Sequence, residues 1–238
     1  MTRASAEQLP LPLRLDDHAA FDTLVDGGNR TAFAHVRALA EAERGEVLWV
    51  WGPRGAGKSH LVQAACRAAD QAGKRAMYLP LVGPEEIGPD VLAGLDTLDF
   101  LALDGVERAA GRREWEAPLF AVLDAFQSRE RALLMAAATA PAAAGFELRD
   151  LASRAAGAVV YRLQPLDERD QLEALARHAR RRGFELDEAA ARFLQARVPR
   201  DMEALCAWLR RLDAASLAAQ RRITIPFIRA SLRAAERG

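Results

Sequence analysis

Gly52-Pro53-Arg54-Gly55-Ala56-Gly57-Lys58-Ser59 spells G-x-x-x-x-G-K-S and follows directly on the apolar run Val47-Leu48-Trp49-Val50-Trp51. A phosphate-binding loop needs a buried strand before it and a helix after it, and this stretch has both. Its glycines let the backbone curl until several N–H groups face one anion, while the next helix contributes its positive N-terminal end. Lys58 is placed to reach the β- and γ-phosphates, and the Ser59 hydroxyl to ligate Mg²⁺. The loop from Gly52 to Ser59, with His60 behind it, is therefore expected to bind a nucleoside di- or triphosphate. Whether that nucleotide is hydrolysed is a separate matter.

Outward from the loop, further short apolar runs at residues 75–81, 99–103, 132–137 and 158–163 read as strands. Helical spacing lies between them, at residues 31–44, 59–72, 84–95 and 115–128. Continuous apolar strands alternating with helices predict a parallel sheet covered on both faces. From Gln164-Pro165 onward every element reads as helical. Asp167 is an expected N-cap, Gly183 closes that helix, and three more helices follow at 187–197, 201–220 and 225–237. The expected architecture is α/β: a five-stranded parallel sheet flanked by helices, followed by a small all-helical domain. The boundaries are an extended tail at 1–17, a nucleotide-binding domain at 18–164 and the helical domain at 165–238.

Lys+Arg and Asp+Glu balance at 33 each, so no net field draws the chain to nucleic acid. Cys66 and Cys206 each fall within helical patterns and read as small buried hydrophobes, not a disulfide. His18, His35, His60 and His178 show no metal-ligand spacing. No apolar run reaches a membrane span and no signal peptide opens the chain, so a soluble cytoplasmic protein is expected.

Asp104 ends the apolar strand Phe100-Leu101-Ala102-Leu103, where a Mg²⁺-binding carboxylate belongs opposite Ser59. The next position usually holds a second acid that polarises the attacking water, but here it is Gly105. Glu107 substitutes only if the chain turns after Asp104. The tip of the fourth strand, Ala136-Ala137-Ala138, is also blank unless Thr139 serves. A nucleotide held rather than rapidly turned over is the expectation. Arg154 closes a helix and could project toward a neighbour's nucleotide, or could be a surface arginine favoured at a helix C-terminus. Arg200 could reach the phosphates from the third helix of the helical domain, or be solvated. The cluster Arg177, Arg180, Arg181 and Arg182 is better explained by dipole compensation and solvation than by contact with DNA. In the tail, Gln8-Leu9-Pro10-Leu11-Pro12-Leu13 suits a proline-stiffened docking peptide, or a tail packed on its own domain.

Together these residues resemble the DnaA-type AAA+ ATPases, and within them the regulatory inactivators of the replication initiator. The resemblance runs over nearly the whole chain. Gln8, Leu9, Leu11, Pro12 and Leu13 look like the family's sliding-clamp-binding motif. Phe21–Val25 with Asn29 is similar to the segment beside the adenine pocket. Leu151–Arg154 is similar to its arginine-finger box, and Val198–Met202 to its second-sensor helix with Arg200. The resemblance implies ADP or ATP with Mg²⁺ as ligands, and DnaA and the DNA polymerase III sliding clamp as partners. DNA would be met only through the clamp, and a homo-oligomer is left open. The initiator carries a helix-turn-helix domain after its lid; the sequence ending at Gly238 gives no expectation of origin binding. Arg154 would complete DnaA's active site and promote hydrolysis of DnaA-bound ATP, while the chain's own nucleotide is retained. The alternatives are an AAA+ helicase loader, which would not need the docking string, and an autonomous ATPase.

Overall fold

The computed structural model describes residues 19–81, 87–199 and 201–235. The docking string, Arg200 and part of the helix expected over 84–95 lie outside the described residues.

Five strands form one parallel sheet: β1 Val47–Trp51, β2 Ala76–Pro80, β3 Phe100–Asp104, β4 Ala132–Ala137 and β5 Val159–Arg162, in the order β2-β3-β4-β1-β5. The three inner strands are buried along almost their whole length, which is why they read as apolar runs without alternation. β5 is an edge, and Val159 and Val160 are exposed there. Alternate residues of β1 serve opposite faces. Leu48 and Val50 pack with α1 (Arg30–Glu41) and α2 (Lys58–Gln71), while Val47 and Trp49 pack with α3 (Arg113–Ser128) and α4 (Arg149–Ala156). The helix expected over 84–95 is not formed in its described part. Two 3₁₀ turns, Pro89–Leu92 and Leu95–Thr97, stand there instead, because Gly88, Pro89 and Gly94 interrupt the run.

Among the described residues four helices follow: α5 Glu168–Arg181, α6 Glu188–Gln195, α7 Met202–Ala219 and α8 Ile225–Ala235. They share their own apolar cluster, centred on Leu175, Leu194, Leu205, Leu209, Leu212 and Ile228. Asp167 caps α5 through the amide of Asp170, and Asp187 and Asp201 cap α6 and α7 in the same way.

The basic cluster on α5 departs from its reading as solvated charge. Arg177 donates to the Leu24 carbonyl and pairs with Glu173, and Arg181 Nη1 donates to Asp22 Oδ2 at 2.8 Å. Two of its arginines thus hold the helical domain against the segment before α1. Asn29 ties the same segment to the last residue of the nucleotide-binding domain, accepting from the Gln164 amide at 2.7 Å and donating to its carbonyl at 3.0 Å. Cys66 is buried as expected, with burial first and Asp70 second pushing its thiol up to about 12. Cys206 is only half-buried, because it faces the cavity described next.

Candidate nucleotide-binding site

β1 delivers Gly52 to the C-terminal edge of the sheet, where ligands of open parallel sheets bind. The chain then curls through the loop, and Gly57, left-handed at φ +85°, serves as N-cap of α2. A side chain there would be strained, so the glycine is what lets the loop enter the helix with its amides free to face an anion. The loop from Arg54 to Ser59, with His60, lines a cavity of about 760 Å³, within the range of nucleotide and cofactor sites. Gly52 and Pro53 do not line it. Their carbonyls instead accept from Lys58 Nζ at 2.8 and 2.9 Å. Burial pulls the Lys58 ammonium below the usual lysine range, opposed by the carboxylates of Asp104 and Glu107.

Asp104 lines the same cavity, half-buried at the end of β3. Tyr78 on the neighbouring strand donates its hydroxyl to Asp104 Oδ2 at 3.1 Å. Burial and the Asp104 charge both push the Tyr78 phenol up, so the hydroxyl keeps its proton and stays a donor. Sequence reasoning missed Tyr78; only the β2–β3 register, which sets Tyr78 opposite Ala102, brings it within reach of Asp104. Ser59 and Asp104 offer hard oxygen ligands on two sides of one cavity. No cluster of three or more His, Cys, Asp or Glu suited to a metal occurs among the described residues. That donor set fits Mg²⁺, which is bound by few protein oxygens together with phosphates.

Beyond Asp104 the chain does turn. Gly105 is left-handed at φ +79° and starts a 3₁₀ turn over Val106–Ala109. Glu107 is thereby carried into the cavity lining rather than away from it. The tip of β4 is blank as expected, since Ala137 and Ala138 line the cavity and Thr139 does not. Thr139 instead accepts from Trp49 Nε1 at 2.9 Å through its carbonyl.

The opposite wall comes from elsewhere in the sequence. Thr23, Leu24, Val25, Asn29 and Phe33 line one side, and Leu166, Ala174, His178, Met202, Glu203, Cys206 and Arg210 the other. His60 and His178 meet edge to face with ring centroids 5.0 Å apart. Thr23 Oγ1 donates to the Ala20 carbonyl at 2.7 Å and lies 2.8 Å from His60 Nε2. The helical domain thus closes over the loop, a contact that no local pattern announced. Arg54 reaches across to Glu203 on α7.

Arg154 is not part of this cavity. It sits in the last turn of α4, half-exposed, pairing with Asp124 of α3 and donating from Nη1 to Gln127 Oε1 at 3.2 Å. Replacing Lys58 with Ala removes the one ammonium of the loop while leaving its backbone intact. Such a variant is expected to lose at least about tenfold in nucleotide affinity, the equivalent of 1.4 kcal/mol. Titration with a fluorescent ADP analogue measures this, and unchanged affinity would remove the loop from the site.

Among known proteins, residues 167–232 match the family described as Hda, lid domain, and residues 15–82 the bacterial DnaA ATPase domain. Domain III of the Thermotoga maritima replication initiation protein DnaA superposes with a TM-score of 0.77 at 20% identity, covering 92% of this chain and 98% of that one. AMPPCP-bound DnaA from Aquifex aeolicus gives 0.63 at 21% identity, covering 79% of this chain and 64% of that one. The Thermotoga maritima RuvB Holliday junction branch migration motor gives 0.60 at 18%, covering 86% and 67%. At these identities the superpositions speak for the shared fold.

Proposed function

The chain is a DnaA-type AAA+ protein with an Hda-type lid domain, and from that premise we propose that it is a regulatory adaptor that inactivates the replication initiator. It holds ADP or ATP in the cavity between the phosphate loop and the lid, with Ser59 and Asp104 as ligands of the accompanying Mg²⁺. Arg200 completes the phosphate contacts from the lid. Nucleotide binding in AMPPCP-bound DnaA from Aquifex aeolicus, a protein of the same fold, supports this use of the cavity. The tail at 1–17 docks on the sliding clamp through Gln8, Leu9, Leu11, Pro12 and Leu13. The domain at 18–164 and the lid at 165–238 then present Arg154 to a neighbouring DnaA.

One observation carries the reading: Arg154 stands at an exposed helix end outside the chain's own nucleotide cavity. A guanidinium so placed has no phosphate of its own to serve and is free to serve a partner's. Set against developing phosphoryl charge it is worth roughly 10³–10⁵ in rate. The test is hydrolysis of ATP bound to DnaA, with and without the chain, on clamp-loaded DNA. Stimulation that requires the clamp is expected. A Gln8→Ala/Leu13→Ala double variant should lose both clamp pull-down and stimulation. Clamp binding untouched by that pair would mean that the tail has another role.

A further inference from the structure

We propose that an arginine face formed by the end of α6 and by α8 binds the phosphate backbone of duplex DNA directly. The proposal goes beyond the function above and needs neither Arg154 nor the tail. Between Phe193 and Gly238 the sequence holds nine arginines against four acids, although the whole chain is balanced. Folding brings part of that excess to one place. Phe193 of α6 packs on the lid's apolar cluster, and two guanidiniums lie over its ring. Arg197 Cζ is 3.6 Å from the ring centre, and Cζ of Arg229 from α8 is 5.5 Å from it. Arg233 stands four residues along α8 from Arg229 and so shares its side of the helix. All three arginines are exposed.

Two cations over one ring repel each other, and a nearby carboxylate would relieve them. Among the described residues, however, Arg197, Arg229 and Arg233 form no ion pair. The lid's acids are largely committed elsewhere. Asp167, Asp187 and Asp201 cap helices, while Glu173, Glu188 and Glu203 pair with Arg177, Arg192 and Arg54. Arg197 Nη1 donates to the Phe193 carbonyl at 3.3 Å, which leaves its charge uncompensated. Exposed guanidiniums in this state are complementary to phosphates, which each meets with a planar fork of donors. The three do not line the nucleotide cavity, and their spread over two helices suits a polyanion laid across them. A protein partner would need an apolar centre to its contact. Among the described lid residues only Leu217 is a large apolar side chain standing exposed, and Phe193 is covered by its arginines. Contacts to the backbone carry no base sequence, so the binding is general.

The experiment is fluorescence anisotropy of a labelled DNA duplex titrated with the purified full chain, without clamp, over about 50–200 mM salt. Each phosphate contact contributes about −0.9 to the slope of log association constant against log salt, so three arginines give about −2.7. Two duplexes of unrelated sequence should bind alike. Arg197→Ala/Arg229→Ala should lose about tenfold or more in affinity at the lowest salt and flatten the slope by about 1.8. Arg197→Lys/Arg229→Lys keeps the charge and should keep the slope, which separates phosphate contact from stacking on Phe193. Affinity for a fluorescent ADP analogue should be the same in all of them, which reports that the variants fold. A wild type that does not bind the duplex, or an alanine pair that binds it like the wild type, would overturn the proposal. So would polyglutamate that competes as well as unlabelled DNA at equal charge, which would point to an acidic protein instead. Gln8→Ala/Leu13→Ala should bind the duplex like the wild type, so loss of clamp docking and loss of this surface are told apart.

Discussion

Arg154→Ala is expected to abolish stimulation of DnaA-bound ATP hydrolysis, by a factor of about 10³ or more, while leaving the chain's own nucleotide affinity unchanged. The size follows from where the charge acts. A guanidinium against the equatorial oxygens of a transferring phosphoryl group meets charge that grows in the transition state, in a site from which water is excluded. Truncation to Ala removes the whole effect and, at a half-exposed position, little of the fold. The contacts of Arg154 with Asp124 and Gln127 do not sequester it. Ion pairs between half-exposed partners contribute about 0–1 kcal/mol, far below what a phosphoryl group offers, so the arginine leaves readily. Asp124→Ala should accordingly change stimulation by no more than about fivefold, the equivalent of that 1 kcal/mol. An Arg154→Ala protein that stimulates DnaA like the wild type would show that another residue supplies the charge.

The second large effect concerns stability. Glu116 of α3 is buried, and its carboxylate accepts from three backbone amides: Oε1 from Gly111 at 2.8 Å and Glu147 at 3.0 Å, and Oε2 from Leu148 at 2.7 Å. Leu148 is the N-cap position of α4, and its own side chain cannot satisfy the free amides at that helix start. Glu116 takes the amide of that N-cap residue, and of Glu147 before it, from a neighbouring helix and so anchors the helix that carries Arg154. Replacing it with Ala leaves three donors without an acceptor in a largely apolar layer. Each such loss costs about 1–3 kcal/mol, so about 3 kcal/mol or more in all. At about 2–4 °C per kcal/mol for a chain of this size, the melting temperature should fall by roughly 10 °C. Glu116→Gln keeps one acceptor oxygen and should fall between. Denaturant unfolding with a change below about 1 kcal/mol would mean that the amides find other acceptors.

Much of the fold was legible because the sheet is parallel and covered on both faces. β1, β3 and β4 must then be apolar throughout, and the breaks between them carry glycine and proline. The loop at Gly52–Ser59 and Asp104 were legible for a related reason, since their chemistry is fixed by spacing along a single strand–loop–helix unit. The stretch 84–95 misled because its apolar spacing suits a helix, while Gly88, Pro89 and Gly94 cut what is described of it into 3₁₀ turns. Glu116 gave no signal at all, as its three partners lie in two separate loops.

By itself the sequence determined that a phosphate-binding loop stands at the end of a buried strand, with a carboxylate at the end of another and no acid directly behind it. Those are local properties, set by residue type and spacing. Only the tertiary structure decided where Glu107 points, because that depends on the sign of a single backbone dihedral at Gly105. It also decided that Tyr78 holds Asp104, that Glu116 secures α4, and that α5 and α7 close over the loop. Each of those contacts joins segments far apart in the chain, and their pairing is fixed by strand register and helix packing rather than by neighbouring residues.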